Sequence, residues 1–112
     1  MKSDAAIITE RIEKLFKRAP KTIYKIECVN DRFDRTYNFF FEEHPKGKRP
    51  HSTPLHTVER YEIAYLEQLI KQIRQKTQLT IYFAGFTGQH WPYAQTMIQK
   101  KPIPNEYKLD ED

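Results

Sequence analysis

Two runs rich in strand-forming residues, "TIYKIECV" (22–29) and "RTYNFFFEE" (35–43), flank the short segment "NDRFD". Asn30 and Asp31 supply turn chemistry there, so the two runs are predicted to pair as a β-hairpin. Side chains alternate between faces along a strand. Tyr24, Ile26 and Cys28 therefore share one face of the first strand, and Tyr37, Phe39 and Phe41 share one face of the second. Those six residues form the wall of a core, and something apolar must cover it.

Two amphipathic helices are available for that purpose. Ser3 or Asp4 can cap a first helix running to about Arg18, in which Ile8, Ile12, Leu15 and Phe16 recur at helical spacing before Pro20 stops it. "TVERYEIAYLEQLIKQIRQK" (57–76) is the stronger of the two. Val58, Tyr61, Tyr65, Leu69 and Ile73 line one side, with Leu66 and Ile70 widening the stripe. Its acids Glu59 and Glu62 lie near the start and Lys71, Arg74 and Lys76 near the end, as the helix macrodipole favours. "LTIYFAGF" (79–86) reads as a third strand. Pro92 suits the first turn of a helix, so 91–100 is predicted to be a short one.

The expected fold is therefore α+β. It has a small, three-stranded, mostly antiparallel sheet with helices packed on one face, in the order α-β-β-α-β plus a short C-terminal helix. Residues 1–104 are expected to make a single compact domain, and 105–112 an acidic, flexible C-terminal tail. The aromatic share of 13% argues against wholesale disorder.

Charge is the first guide to function. The chain carries 19 Lys and Arg against 15 Asp and Glu, a net +4, yet Asn105 to Asp112 hold four acids and one Lys. The rest of the chain is +7. A basic body with an acidic end suggests a polyanionic partner, or a tail that folds back over the basic surface. Cys28 is the lone cysteine, so neither an internal disulfide nor a cysteine-based metal cluster is possible within one chain. That usage fits a reducing compartment. With no apolar run of spanning length and no apolar leader in "MKSDAAIITE", the expectation is a cytoplasmic protein without membrane contact.

"HPKGKRPHSTPLH" (44–56) holds three of the four histidines and no acid. Pro45, Gly47, Pro50 and Pro54 predict a loop. His44, His51 and His56 do not show the close pairing of a zinc site, and the nearby positive charges oppose a cation. No metal and no cofactor are expected. Lys46, Lys48 and Arg49 could instead grip phosphate, although no Walker A pattern accompanies them. Further cations, including Lys17, Arg74 and Lys100, lie near predicted helix C-termini, where dipole compensation alone explains them.

The hairpin's second face carries Ile23, Lys25, Glu27, Val29, Thr36, Asn38 and Phe40, and the third strand adds Thr80 and Tyr82. Aromatics among polar groups on an open sheet, here Phe40 and Tyr82, resemble base-stacking platforms in chemistry. The competing expectations are that a segment with Trp91 and Tyr93 covers this face, or that two copies pack there. "GFTGQHWPY" offers His90 beside Trp91, but no nucleophile or orienting acid lies near in sequence. A hydrolase or nuclease using His90 ranks last, and no catalytic activity is expected. The leading reading is a small accessory protein binding nucleic acid through Lys46, Lys48, Arg49, Lys17, Arg74, Lys100, Phe40 and Tyr82. The alternative is a protein–protein interaction module, a homodimer or an inhibitor of a larger enzyme, with no role on nucleic acid.

Overall fold

A computed structural model describes residues 2–99. The order of elements is α1 (Asp4–Leu15), β1 (Thr22–Asp31), β2 (Thr36–Pro45), β3 (His51–Val58), α2 (Ile63–Lys76) and β4 (Thr80–Ala84). The class is α+β, with a four-stranded mixed sheet in the order β3-β2-β1-β4. β1 to β3 form an antiparallel meander, and β4 lies parallel to β1 on its free side.

The hairpin is the one its sequence predicts, with Cys28 opposite Phe39 and Ile26 opposite Phe41. The turn is set by Asp31, whose Oδ1 accepts from the amides of Phe33 and Asp34 at 3.1 and 3.0 Å. α1 is capped as expected, Ser3 Oγ accepting from the Ala6 amide at 3.2 Å. It ends at Leu15, not near Arg18, because Phe16 leaves the helical conformation.

Two expectations fail. The stretch 44–56 is not all loop: His51–Val58 forms the edge strand β3, making four strands instead of three. Pro54 is tolerated there because β3 needs no partner on its outer side and because the ladder is irregular at that point. Pairing passes from Phe40↔Pro54 to Phe39↔His56, leaving Leu55 as the extra residue of a β-bulge. Consequently Val58 belongs to β3, and α2 begins at Ile63 instead of 57. The helix predicted over 91–100 is also absent. Residues 91–99 fold as a small irregular loop closed by a bridge between His90 and Met97.

The left-handed backbone at Gln95, φ +63°, breaks any helical path there, and a buried carboxylate pins the loop that results. Glu67, on α2 and only 3% exposed, accepts from the amides of Tyr93 and Ala94, both at 2.9 Å. These are donors that a helix start would leave free. The loop is pinned to α2 by them, and Trp91 and Ile98 enter the core alongside.

That core lies between the helices and one sheet face. Ile26, Cys28, Tyr37, Phe39 and Phe41 meet Ile8 and Ile12 of α1 and Leu66, Leu69, Ile70 and Ile73 of α2. Phe86 stacks on Tyr37 and Trp91 meets Phe83 edge-on, so the 86–99 segment closes the same side. Asn30 is buried yet partnered: its amide donates to the Gly85 carbonyl at 3.0 Å and its oxygen accepts from Tyr61 at 2.6 Å. Gly85 is required at that contact. Its φ is +84°, and a Cβ there would come within 2.9 Å of the Asn30 carbonyl.

Candidate nucleic-acid interface

Strand register arranges the second face of the sheet as a grid. Cross-strand partners project to the same side, so Pro54, Phe40, Glu27 and Tyr82 form one row across β3, β2, β1 and β4. The next row toward the β2–β3 hairpin is Ser52, Glu42, Lys25 and Thr80, and beyond it His44 faces Ile23. On the other side lie Thr57, Asn38, Val29 and Ala84. Both helices and the loop carrying Trp91 pack on the opposite face. Of the two competing expectations, cover by Trp91 therefore fails. Ile23 is 67% exposed and Tyr82 48%, while Phe40 is half-buried.

This face mixes rings with charge. The Lys25 ammonium lies 4.7 Å from the centre of the Tyr82 ring. Glu27 sits between Phe40 and Tyr82, a placement that sequence reading left without a role. Partial burial and the neighbouring Glu42 carboxyl push the Glu27 pKa up, against a smaller opposing effect of Lys25. His44 Nε2 lies 3.5 Å from Glu42 Oε1 but is not aligned for a hydrogen bond. No sequence signal marks the Glu27–Glu42 pair, because the two residues lie on different strands and only the register brings them together.

The cations gather at one end of the sheet. β2 ends and β3 begins there, β1 and β4 start there, and both helices finish there. The Lys46 amide bonds to the Lys21 carbonyl at 2.8 Å, tying the hairpin to the segment entering β1. Lys17, Arg18, Lys21, Lys46, Lys48 and Arg49 occupy these connections, and Arg74 and Lys76 the last turn of α2. All eight are exposed, and the connecting segments 16–21, 46–50 and 77–79 contain no acid. Among the described residues, none of the eight pairs with a carboxylate. At the opposite end, Arg32, Arg35 and Arg60 are balanced by Asp34, Glu59 and Glu62.

Of the residues expected to bind, Lys46, Lys48, Arg49, Lys17 and Arg74 thus share the basic end, and Phe40 and Tyr82 share the sheet face that no described element covers, called the uncovered face below. Lys100 and the acidic segment 105–112 lie outside the described residues.

The histidines of 44–56 disperse. His44 is on the uncovered face, His51 is exposed at the start of β3, and His56 turns inward to Asp4. The Nε2–Oδ1 distance there is 2.7 Å, and Tyr65 donates to the other carboxylate oxygen. Partial burial pushes the Asp4 carboxyl up, but the bonds from Tyr65 and His56 outweigh it and hold it below the ordinary value. This trio fastens the start of α1 to β3 and α2. His90 is exposed and bridges to Met97. Burial raises the Cys28 thiol strongly, which makes it an inert core residue. Phe33, at the tip of the β1–β2 turn, is 99% exposed, and sequence reading treated it only as part of a turn.

Among the described residues, no helix is long and apolar enough to cross a membrane, and no group of His, Cys, Asp and Glu is placed to hold a metal ion. No family model, curated protein or solved structure matches the chain.

Proposed function

We propose that the protein is a small cytoplasmic accessory protein that binds nucleic acid without transforming it. Phosphates are held at the basic end and bases meet the uncovered sheet face. The observation that carries this reading is the segregation of charge along the strand axis: eight unpaired cations at one end, a balanced set at the other. Charge compensation of helix dipoles does not require the hairpin cations Lys46, Lys48 and Arg49 to join those of the helix ends. A polyanion does profit from it. Lys25 and Tyr82 continue the surface from the basic end onto the sheet. The acids Glu27 and Glu42 discourage phosphate at the middle of the face but not a neutral base, whose amino groups a carboxylate can accept.

Fluorescence anisotropy of labelled oligonucleotides over a salt series tests the reading. Binding should weaken steeply with salt, and the triple variant Lys46→Ala, Lys48→Ala, Arg49→Ala should fold normally and show a slope shallower by about one unit per lost contact. Absence of wild-type binding at low salt would overturn it. The protein–protein reading would then take its place, favoured by the exposure of Ile23 and Tyr82 on a face that nothing described covers.

A further inference from the structure

The β-bulge at Leu55 opens a cleft of about 300 Å³ between β2 and β3. That volume lies at the small end of the usual range for ligand pockets. Phe40 and Pro54, cross-strand partners at the bulge, give it flat apolar surface. Asn38 and Thr57, the next pair along, add polar atoms on the same side. The cleft is lined from both faces of the sheet: Phe39, Leu55 and His56 belong to the helix side, and from that side Arg11 of α1 reaches it and donates through Nη1 to the Leu55 carbonyl.

The hydrogen bonding of Asn38 leaves capacity for a ligand. Its Oδ1 accepts one bond, from the Thr57 hydroxyl at 2.7 Å, and retains a second lone pair. Its Nδ2 makes only a long contact of 3.5 Å to the Thr36 hydroxyl. The guanidinium of Arg11 keeps donors beyond the one spent on Leu55. A flat apolar surface, an amide edge and a neighbouring cation together describe the complement of an unpaired nucleotide. The ring stacks, the base edge meets the amide, and the phosphate meets the guanidinium.

We propose that this cleft receives one unpaired nucleobase, with adenine preferred because an asparagine amide can meet its amino group and ring nitrogen together. The proposal rests on the nucleic-acid reading above and deepens it: the preferred ligand is single-stranded, since a base inside a duplex cannot enter. Phe40 is the stacking residue, Asn38 sets base preference, and Arg11 positions the phosphate. The basic end contributes affinity that is indifferent to sequence.

Two measurements test it. The first titrates adenosine 5′-monophosphate, and separately ribose 5-phosphate, into the 15N-labelled protein. The nucleotide should shift the Asn38 side-chain amide signals, and the sugar phosphate should not. Equal response to both, or to neither, overturns the base pocket even if oligonucleotides bind elsewhere. The second compares oligo-dA with oligo-dT by anisotropy. Phe40→Ala should weaken oligo-dA binding by about tenfold, in line with the loss of one stacked base, and leave the salt slope unchanged. Asn38→Ala should abolish the preference for oligo-dA over oligo-dT, again at constant slope. A Phe40→Ala variant that binds like wild type, or an Asn38→Ala variant that keeps the preference, contradicts the proposal. Loss of the salt slope belongs to the basic end and is read separately, from the hairpin variant.

Discussion

The two faces of one sheet treat polar groups in opposite ways. On the helix side, three polar side chains at or beside the core, those of Asn30, Glu67 and Asp4, each meet dedicated partners. Asn30 bonds to Gly85 and Tyr61, Glu67 to two backbone amides, and Asp4 to His56 and Tyr65. On the uncovered side, Glu27 faces another carboxyl and a nitrogen of His44 has no hydrogen-bond partner. Buried polar groups without partners are costly, so folding settles the first set completely. The second set is left imperfectly paired beside exposed rings.

The sharpest way to break this contrast is to truncate adjacent phenylalanines. Phe39 is 1% exposed and points to the helices, while Phe40 points the other way. Phe39→Ala should cost about 3–5 kcal/mol, and Leu69→Ala on α2 about 2–5. Phe40→Ala should cost markedly less than Phe39→Ala, because its ring loses contacts with solvent-facing neighbours and leaves no closed cavity. Chemical denaturation of the three variants decides this, and equal costs for Phe39→Ala and Phe40→Ala would erase the distinction between the faces.

Glu67 sharpens the closed side. Glu67→Ala removes the acceptor for the Tyr93 and Ala94 amides and should destabilise by about 1–3 kcal/mol. Hydrogen exchange should speed up at those two amides first, with a change in Trp91 fluorescence. Unchanged exchange there would mean that Trp91 and Ile98 alone hold the segment.

Glu27 sharpens the open side through pH. Its folded pKa lies above the ordinary 4.5, so between those two values the native state holds more protons than the unfolded one. Stability contributed by this group is therefore full below the ordinary value and is lost as pH rises through the folded pKa. Glu27→Gln should be more stable than wild type at about pH 7 and lose that advantage in acid. Asp4 has the opposite sign: its contribution is present above its ordinary 3.8 and is lost as pH falls through the lower folded value. Denaturation curves of Glu27→Gln and wild type at several pH values check the first statement, and a variant less stable at neutral pH would contradict it.

Much of this contrast is written in the sequence. Strand alternation alone divides Ile26, Cys28, Phe39 and Phe41 from Lys25, Glu27 and Phe40, and helical spacing places Ile8, Ile12, Leu69 and Ile73 inward. β3 was hidden because its prolines forbid a central strand but not a bulged edge, and edge position is settled by the whole sheet. The loop over 91–99 was hidden because nothing local marks the left-handed turn at Gln95, and the carboxylate that pins the loop, Glu67, lies 26 residues before Tyr93. The uncovered face was legible as a list of residues. Its row of Phe40, Glu27 and Tyr82, the Glu27–Glu42 pairing and the cleft at Leu55 required a register that no local pattern carries. The gathering of cations at one end follows from chain direction, once four strands and two helices are placed.

In the proposed function, the uncovered face and its basic end bind nucleic acid while the helix side only holds the fold. Ile23 and Ile26 lie three residues apart on β1, the first exposed on the open face and the second fully buried on the closed one. Methyl spectra of isoleucine-labelled protein, recorded during titration with a single-stranded oligonucleotide, read both sides at once. The Ile23 methyl should shift or broaden at low salt and recover as salt is raised, while Ile8, Ile26 and Ile73 stay in place. Movement of the buried helix-side methyls with Ile23 unchanged, or no movement anywhere, would contradict the claim.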